Sequence, residues 1–181
     1  MKLIDINKAR YRKHLNIIII AFIAVFMTLA LIFGQTLIAM FGDTIVNDGS
    51  SNFRYNFAGV VLALLACAAI LSQLRNKTFF TEVYYVWQIK QLINLIYRKL
   101  AVIKKVAAES DHKNYHSALT VLYYYYKASQ QLYLLDDNTI TLSSINKELS
   151  SIEEKISLAD KNITIDDFNK AMLALFKAEQ L

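Results

Sequence analysis

Twenty-seven consecutive residues, Leu15 to Phe41, carry no charge and are mostly Leu, Ile, Val, Phe and Ala. A helix rises ~1.5 Å per residue and the hydrocarbon core of a bilayer is ~30 Å thick, so about twenty apolar residues cross it. A second uncharged stretch, Phe57 to Leu74, is eighteen residues long and meets the same requirement. The pattern predicts an all-α protein: a two-helix transmembrane hairpin followed by a small cytoplasmic helical domain of about four helices. The expected divisions are a basic N-terminus (1–14), a first span (15–41), an external loop (42–56), a second span (57–74) and the helical domain (75–181). A cleavable signal peptide is the competing reading of the N-terminus. Its apolar core would run ~7–15 residues, whereas this one continues to Phe41.

Charge at the span ends sets the expected orientation. Lys2, Lys8, Arg10, Arg12 and Lys13 precede the first span, opposed by Asp5 alone. Arg75 and Lys77 follow the second, while the loop carries Arg54 against Asp43 and Asp48. Short segments rich in Lys and Arg stay cytoplasmic, so both termini are expected inside and the loop outside. Lys8, Arg10, Arg12, Lys13, Arg75 and Lys77 are the candidate contacts to anionic headgroups.

The spans contain no Asp, Glu, Lys, Arg or His. Gly59, Ala63, Ala66 and Cys67 form a small-residue stripe that lets helix backbones approach closely, with Ala21, Ala24 and Thr28 as its counterpart on the first span. Cys67 is the only cysteine, so no intrachain disulfide is possible, and it reads as a packing residue. Gln35, Thr28 and Thr36 are the polar positions that could line a path through an oligomer.

The tail after Leu74 has neither glycine nor proline, which favours helices over sheet. Apolar steps of three and four from Val83 through Ala107 predict one long helix over 79–108. Asp111 reads as the cap of a second helix, ending near Asp136-Asp137-Asn138. Thr141 reads as the cap of a third, with Ile140 and Ile145 as a hydrophobic staple. Thr164 with Asp167 reads as the capping box of a fourth, burying Ile165, Phe168, Met172, Leu175 and Phe176.

Residues 75–113 hold eight basic and three acidic side chains, and residues 114–181 hold six and nine. The basic excess therefore lies next to the spans, where a membrane accounts for it; nucleic acid is not an expected partner. The aromatic group Phe79, Phe80, Tyr84, Tyr85 and Trp87 reads as core packing in the tail rather than an interfacial belt. Tyr123, Tyr124, Tyr125 and Tyr126 surround a helix at ~100° per residue, so they cannot all be buried together, and they are candidate interface residues. His112 and His116, four apart, would share a helix face and are weak metal candidates for want of a third ligand. With no GxSxG, no phosphate-cradling glycine loop and no cysteine outside the spans, neither catalytic residues nor a cofactor are expected.

Four segments stand out as markers: Asp5-Ile-Asn-Lys-Ala-Arg-Tyr-Arg-Lys-His-Leu-Asn16, Asn52-Phe-Arg-Tyr-Asn56, Glu82-Val-Tyr-Tyr-Val-Trp-Gln-Ile-Lys-Gln91 and Leu135-Asp-Asp-Asn-Thr-Ile-Thr-Leu142. In these the chain resembles a proteobacterial family of small two-span proteins catalogued only as a domain of unknown function. The resemblance covers nearly the whole chain and implies a bacterial inner membrane. It brings no catalytic or binding residues with it. The function expected is a non-enzymatic membrane anchor or scaffold whose cytoplasmic helices self-associate or bind another membrane protein; the alternative is an accessory or pore-forming subunit of a channel or transporter.

Overall fold

A computed structural model describes residues 2–42, 52–159 and 162–176. The loop residues Asp43, Asp48 and Gly49 lie outside the described residues. Among the described residues the chain is helical without strands: α1 (Lys8–Phe41), α2 (Phe53–Leu74), α3 (Thr81–Tyr97), α4 (Leu100–Val106), α5 (Tyr115–Leu135) and α6 (Thr139–Leu158). Short 3-10 segments occupy Thr78–Phe80, Ile165–Asp167 and Lys170–Leu175. The chain forms two compact units, Ala9–Tyr84 and Met1–Lys8 with Tyr85–Leu181.

The first unit contains α1 and α2, both long and apolar enough to cross a membrane. Their closest approach is set by glycine. A Cβ on Gly59 would stand 2.5 Å from the Gly34 nitrogen and 3.2 Å from the Ala30 carbonyl oxygen. Gly59, Ala63 and Cys67 are buried on this face of α2, with Ala66 at its margin. On α1 the small residues at this close approach are Ala30 and Gly34; of the expected stripe of Ala21, Ala24 and Thr28, all three are exposed, and Ala21 borders a cavity between the helices instead of a close contact. The expectation took alanine spacing as the guide, but only a missing Cβ permits the backbones to come this close. Elsewhere the helices expose large apolar side chains: Ile20 is 68% exposed, Leu31 67% and Leu65 61%. A water-soluble domain would bury such residues; lipid accepts them.

In the second unit α5 is the central helix. It packs against α6, α4 and both C-terminal 3-10 segments, and buried residues cover most of its circumference from Ala118 to Ser129. Tyr124, Tyr125 and Tyr126 are therefore all buried, and Tyr123 is partly covered. Three of the four are buried because α5 has chain on nearly every side, and Tyr123 alone stays partly open, in keeping with the expectation that the four cannot all be buried together. Polar ties also bind α5 to α6; among them, Lys127 Nζ meets Glu153 Oε1 at 2.9 Å, and Gln130 Nε2 donates to Asn146 Oδ1 at 2.8 Å.

The single helix expected over 79–108 is three elements, interrupted at Arg98 and Lys99. Nothing local demands that break, since both residues favour helices. The Lys99 ammonium instead donates to the carbonyls of Leu173 (2.6 Å) and Phe176 (2.8 Å). It thereby holds the last 3-10 segment and the Phe176 that follows it, which is fully buried.

Helix starts also shift. α5 begins at Tyr115 with Asn114 before it, so Asp111 lies in the preceding turn and does not cap. The cap of α6 is Asn138, whose Oδ1 accepts from the Thr141 amide at 3.2 Å and the Thr141 hydroxyl at 3.0 Å. Thr141 is thus the capped residue, and no staple forms, because Ile140 is 90% exposed. The Thr164–Asp167 capping box is present, but it opens a 3-10 turn rather than an α-helix. Phe168 and Phe176 are buried while Leu175 is exposed, as the tighter 3-10 spacing requires.

The N-terminal segment is part of this unit. The Ile4 amide donates to the Tyr85 hydroxyl (2.7 Å), and Gln131 Nε2 donates to the Ile4 carbonyl (2.6 Å). Ile6 is buried, Lys2 pairs with Asp166, and Lys8 pairs with Asp137.

Candidate functional site at the end of the hairpin

The most structured polar group in the hairpin unit lies where α2 ends and α3 begins. After Leu74 the chain turns through Arg75, Asn76 and Lys77. The Lys77 amide donates to the Leu74 carbonyl (2.9 Å), and the short 3-10 segment then leads into α3. This turn brings Thr78, Phe79, Thr81 and Glu82 beside Arg10 and His14, which share one face of α1 because they are four residues apart. Together these six residues line a cavity of about 400 Å³.

Arg10 donates from Nε (2.9 Å) and Nη2 (2.5 Å) to one oxygen of Glu82, Oε1. The Glu82 side chain is 12% exposed, and its second oxygen is buried without a hydrogen-bond partner. His14 stacks on Phe79 with ring centroids 4.1 Å apart, and its Nδ1 is likewise buried without a partner. Unmet buried polar atoms cost ~1–3 kcal/mol each, more when charged. Both residues line the same cavity.

On its other side Phe79 belongs to a second cavity, of about 170 Å³, which penetrates between the two long helices. Ile18, Phe22, Cys67, Leu71 and Phe80 are among its walls, and its surface is almost wholly apolar. One aromatic ring therefore separates a charged compartment from a greasy one. Phe79 and Phe80 accordingly pack with the hairpin, Tyr85 is buried in the helical unit, and Trp87 is half-exposed. The aromatic group expected to act as one core is split three ways.

The six basic residues expected at the membrane surface have different surroundings. Lys8 and Arg10 are engaged with Asp137 and Glu82, and Arg75 lies over the Tyr84 ring at 5.9 Å. Arg12, Lys13 and Lys77 are exposed. His112 is not on a helix: it precedes α5, and its Nδ1 accepts from the Asn114 amide at 3.1 Å. The i, i+4 argument for His112 and His116 therefore fails. No cluster of three metal-ligating side chains occurs among the described residues.

Elsewhere in the helical unit one polar group joins three helices. Glu148 Oε2 accepts from the Tyr126 hydroxyl (2.8 Å) and from Lys104 Nζ (3.1 Å). These two bonds hold the carboxyl below its ordinary range, while burial, with the Glu148 bond, raises Tyr126. The Tyr124 hydroxyl, by contrast, is buried without a partner, its ring stacked on Phe168 at 4.0 Å; burial raises its pKa too.

Sequence reasoning assigned His14 to the basic flank and gave Glu82 no role. A signal was present. Glu82 is one of only three acidic residues between Arg75 and Lys113, and an isolated carboxylate next to a span end needs a cation. No curated protein and no solved structure matches the chain. Over residues 1–173 it matches the family described as protein of unknown function (DUF3087), and it belongs to that family.

Proposed function

We propose that the protein is a non-enzymatic anchor of the bacterial inner membrane. Its two long helices cross the bilayer, both termini lie in the cytoplasm, and the helical unit binds a second copy or another membrane protein. The observation that carries this reading is the separation of surfaces. The long helices expose apolar side chains suited to lipid. The helical unit closes its own core around α5 yet leaves Trp87 52% and Leu95 37% exposed, two turns apart on α3.

Orientation draws support from the N-terminal segment, because residues on either side of the hairpin pack in one unit. That arrangement requires an even number of crossings between them. The excess of Lys and Arg flanking the spans favours the cytoplasmic side.

A photo-crosslinking residue at Gln91 or Lys105 in living cells tests the partner, and reporters in the 42–56 loop and after Leu181 test the topology. Adducts containing a second copy or a membrane protein are expected, with only the loop reporter active outside. Strictly monomeric protein without adducts overturns the scaffold reading. A pore has less in its favour. The Thr28 and Thr36 hydroxyls donate to the carbonyls of Ala24 (2.8 Å) and Ile32 (2.7 Å) in their own helix, which leaves them satisfied against lipid.

A further inference from the structure

We infer that the paired cavities sharing Phe79 form a binding site for one aminophospholipid, with the phosphoethanolamine type of headgroup in the polar compartment and an acyl chain in the apolar one. This rests on the hairpin lying in a bilayer, and on nothing else in the preceding proposal.

The polar compartment presents both signs of charge. Arg10 supplies a guanidinium; the Thr81 hydroxyl already donates to the Lys77 carbonyl (3.4 Å), but the Thr78 hydroxyl and the His14 ring add further hydrogen-bonding groups beside it. These suit a phosphate, which takes charge-assisted bonds readily. Glu82 is the discriminating element. Arg10 occupies Oε1 alone, so Oε2 is left as a buried acceptor with no donor. A purely anionic headgroup would set its charge against that carboxylate. An ammonium on the same headgroup instead supplies the missing donor. The terminal torsion of a glutamate is broad, so a small turn of the carboxyl brings Oε2 to the cavity.

The apolar compartment identifies the ligand as a lipid rather than a free phosphate ester. It lies between the long helices and adjoins the headgroup site through a single ring. A soluble metabolite would leave that space unfilled. An acyl chain entering from the bilayer fills it and gains from each methylene buried.

The test uses the full-length protein in mild detergent, delipidated and then given defined lipids under native mass spectrometry. Phosphatidylethanolamine should be retained about tenfold over phosphatidylglycerol, as expected for one charge-assisted bond. Glu82→Gln should abolish that preference while leaving phosphatidylglycerol binding in place. Ala21→Phe, which narrows the apolar cavity, should weaken the lipid about tenfold and leave the weak binding of free phosphoethanolamine unchanged. Circular dichroism of each variant checks that it has folded; should Glu82→Gln fail, Thr78→Val reports on the same compartment by weakening both lipids. Equal retention of the two lipids by the wild type overturns the proposal. So does free phosphoethanolamine binding as tightly as the lipid, which would make the ligand a soluble one.

Discussion

Gly59 and Gly34 touch backbone to backbone: a Cβ added at Gly59 would come within 2.5 Å of the Gly34 nitrogen and 2.7 Å of its Cα. Neither atom can swing aside as a side chain can. Gly59→Ala should therefore force the helices apart and cost ~1–3 kcal/mol, the usual range for overpacking. Thermal unfolding in detergent measures it, with the exposed Leu62→Ala as a control expected within ~0.5 kcal/mol of wild type.

Tyr124 and Tyr126 are two positions apart and both buried, yet their hydroxyls differ. Tyr124→Phe removes an unpartnered hydroxyl and should keep or raise stability, by up to ~1–3 kcal/mol. Tyr126→Phe removes the bond to Glu148 and should lower stability by ~1 kcal/mol. Urea unfolding of the two variants decides it; equal losses would contradict the hydrogen-bond assignment.

The Glu148 carboxyl is held below its ordinary value of 4.5 by Tyr126 and Lys104. Its contribution is complete above the unfolded value and disappears as pH falls through the lower folded one. Stability should thus decline on acidification below about 4.5, and Glu148→Gln should flatten part of that decline. The side chain is 46% exposed, so solvent screening limits the effect to under ~1 kcal/mol. Denaturation midpoints from pH 3 to 6 provide the measurement.

Asn138→Ala should cost ~1 kcal/mol by uncapping α6. Thr141→Ala should cost less, because the Thr141 amide that Asn138 accepts is kept. A larger loss at Thr141 would restore it as the cap.

How much of this was legible in the residues depends on range. The two apolar helices, the end of α5 beside Asp136 and the Thr164–Asp167 box follow from contiguous signals, and all three are present in the structure. The left-handed backbone at Asp137 (φ 56°) explains why a glycine-free tail can still turn between α5 and α6, since aspartate tolerates that region better than most residues. The break at Lys99 is different. The contact that accompanies it is with a pair of carbonyls more than seventy positions away, and no local window of sequence contains both. The burial of Tyr124 to Tyr126 likewise depends on how many helices surround α5, which periodicity along one helix cannot count. The Arg10–Glu82 pair joins residues 72 apart, and the intervening chain is the hairpin itself.

The N-terminal strap has a consequence for biosynthesis. Lys2 meets Asp166 across 164 positions, and Ile4 meets Gln131 across 127. Contacts so distant form late, after the chain between them is in place. On the proposed topology, Lys2 and Ile4 must wait at the membrane until both spans are threaded and their partners in the tail have emerged. Completion of the helical unit then depends on insertion of both spans, because a polypeptide stalled with one span inserted would leave the segments that flank the hairpin on opposite sides, unable to meet.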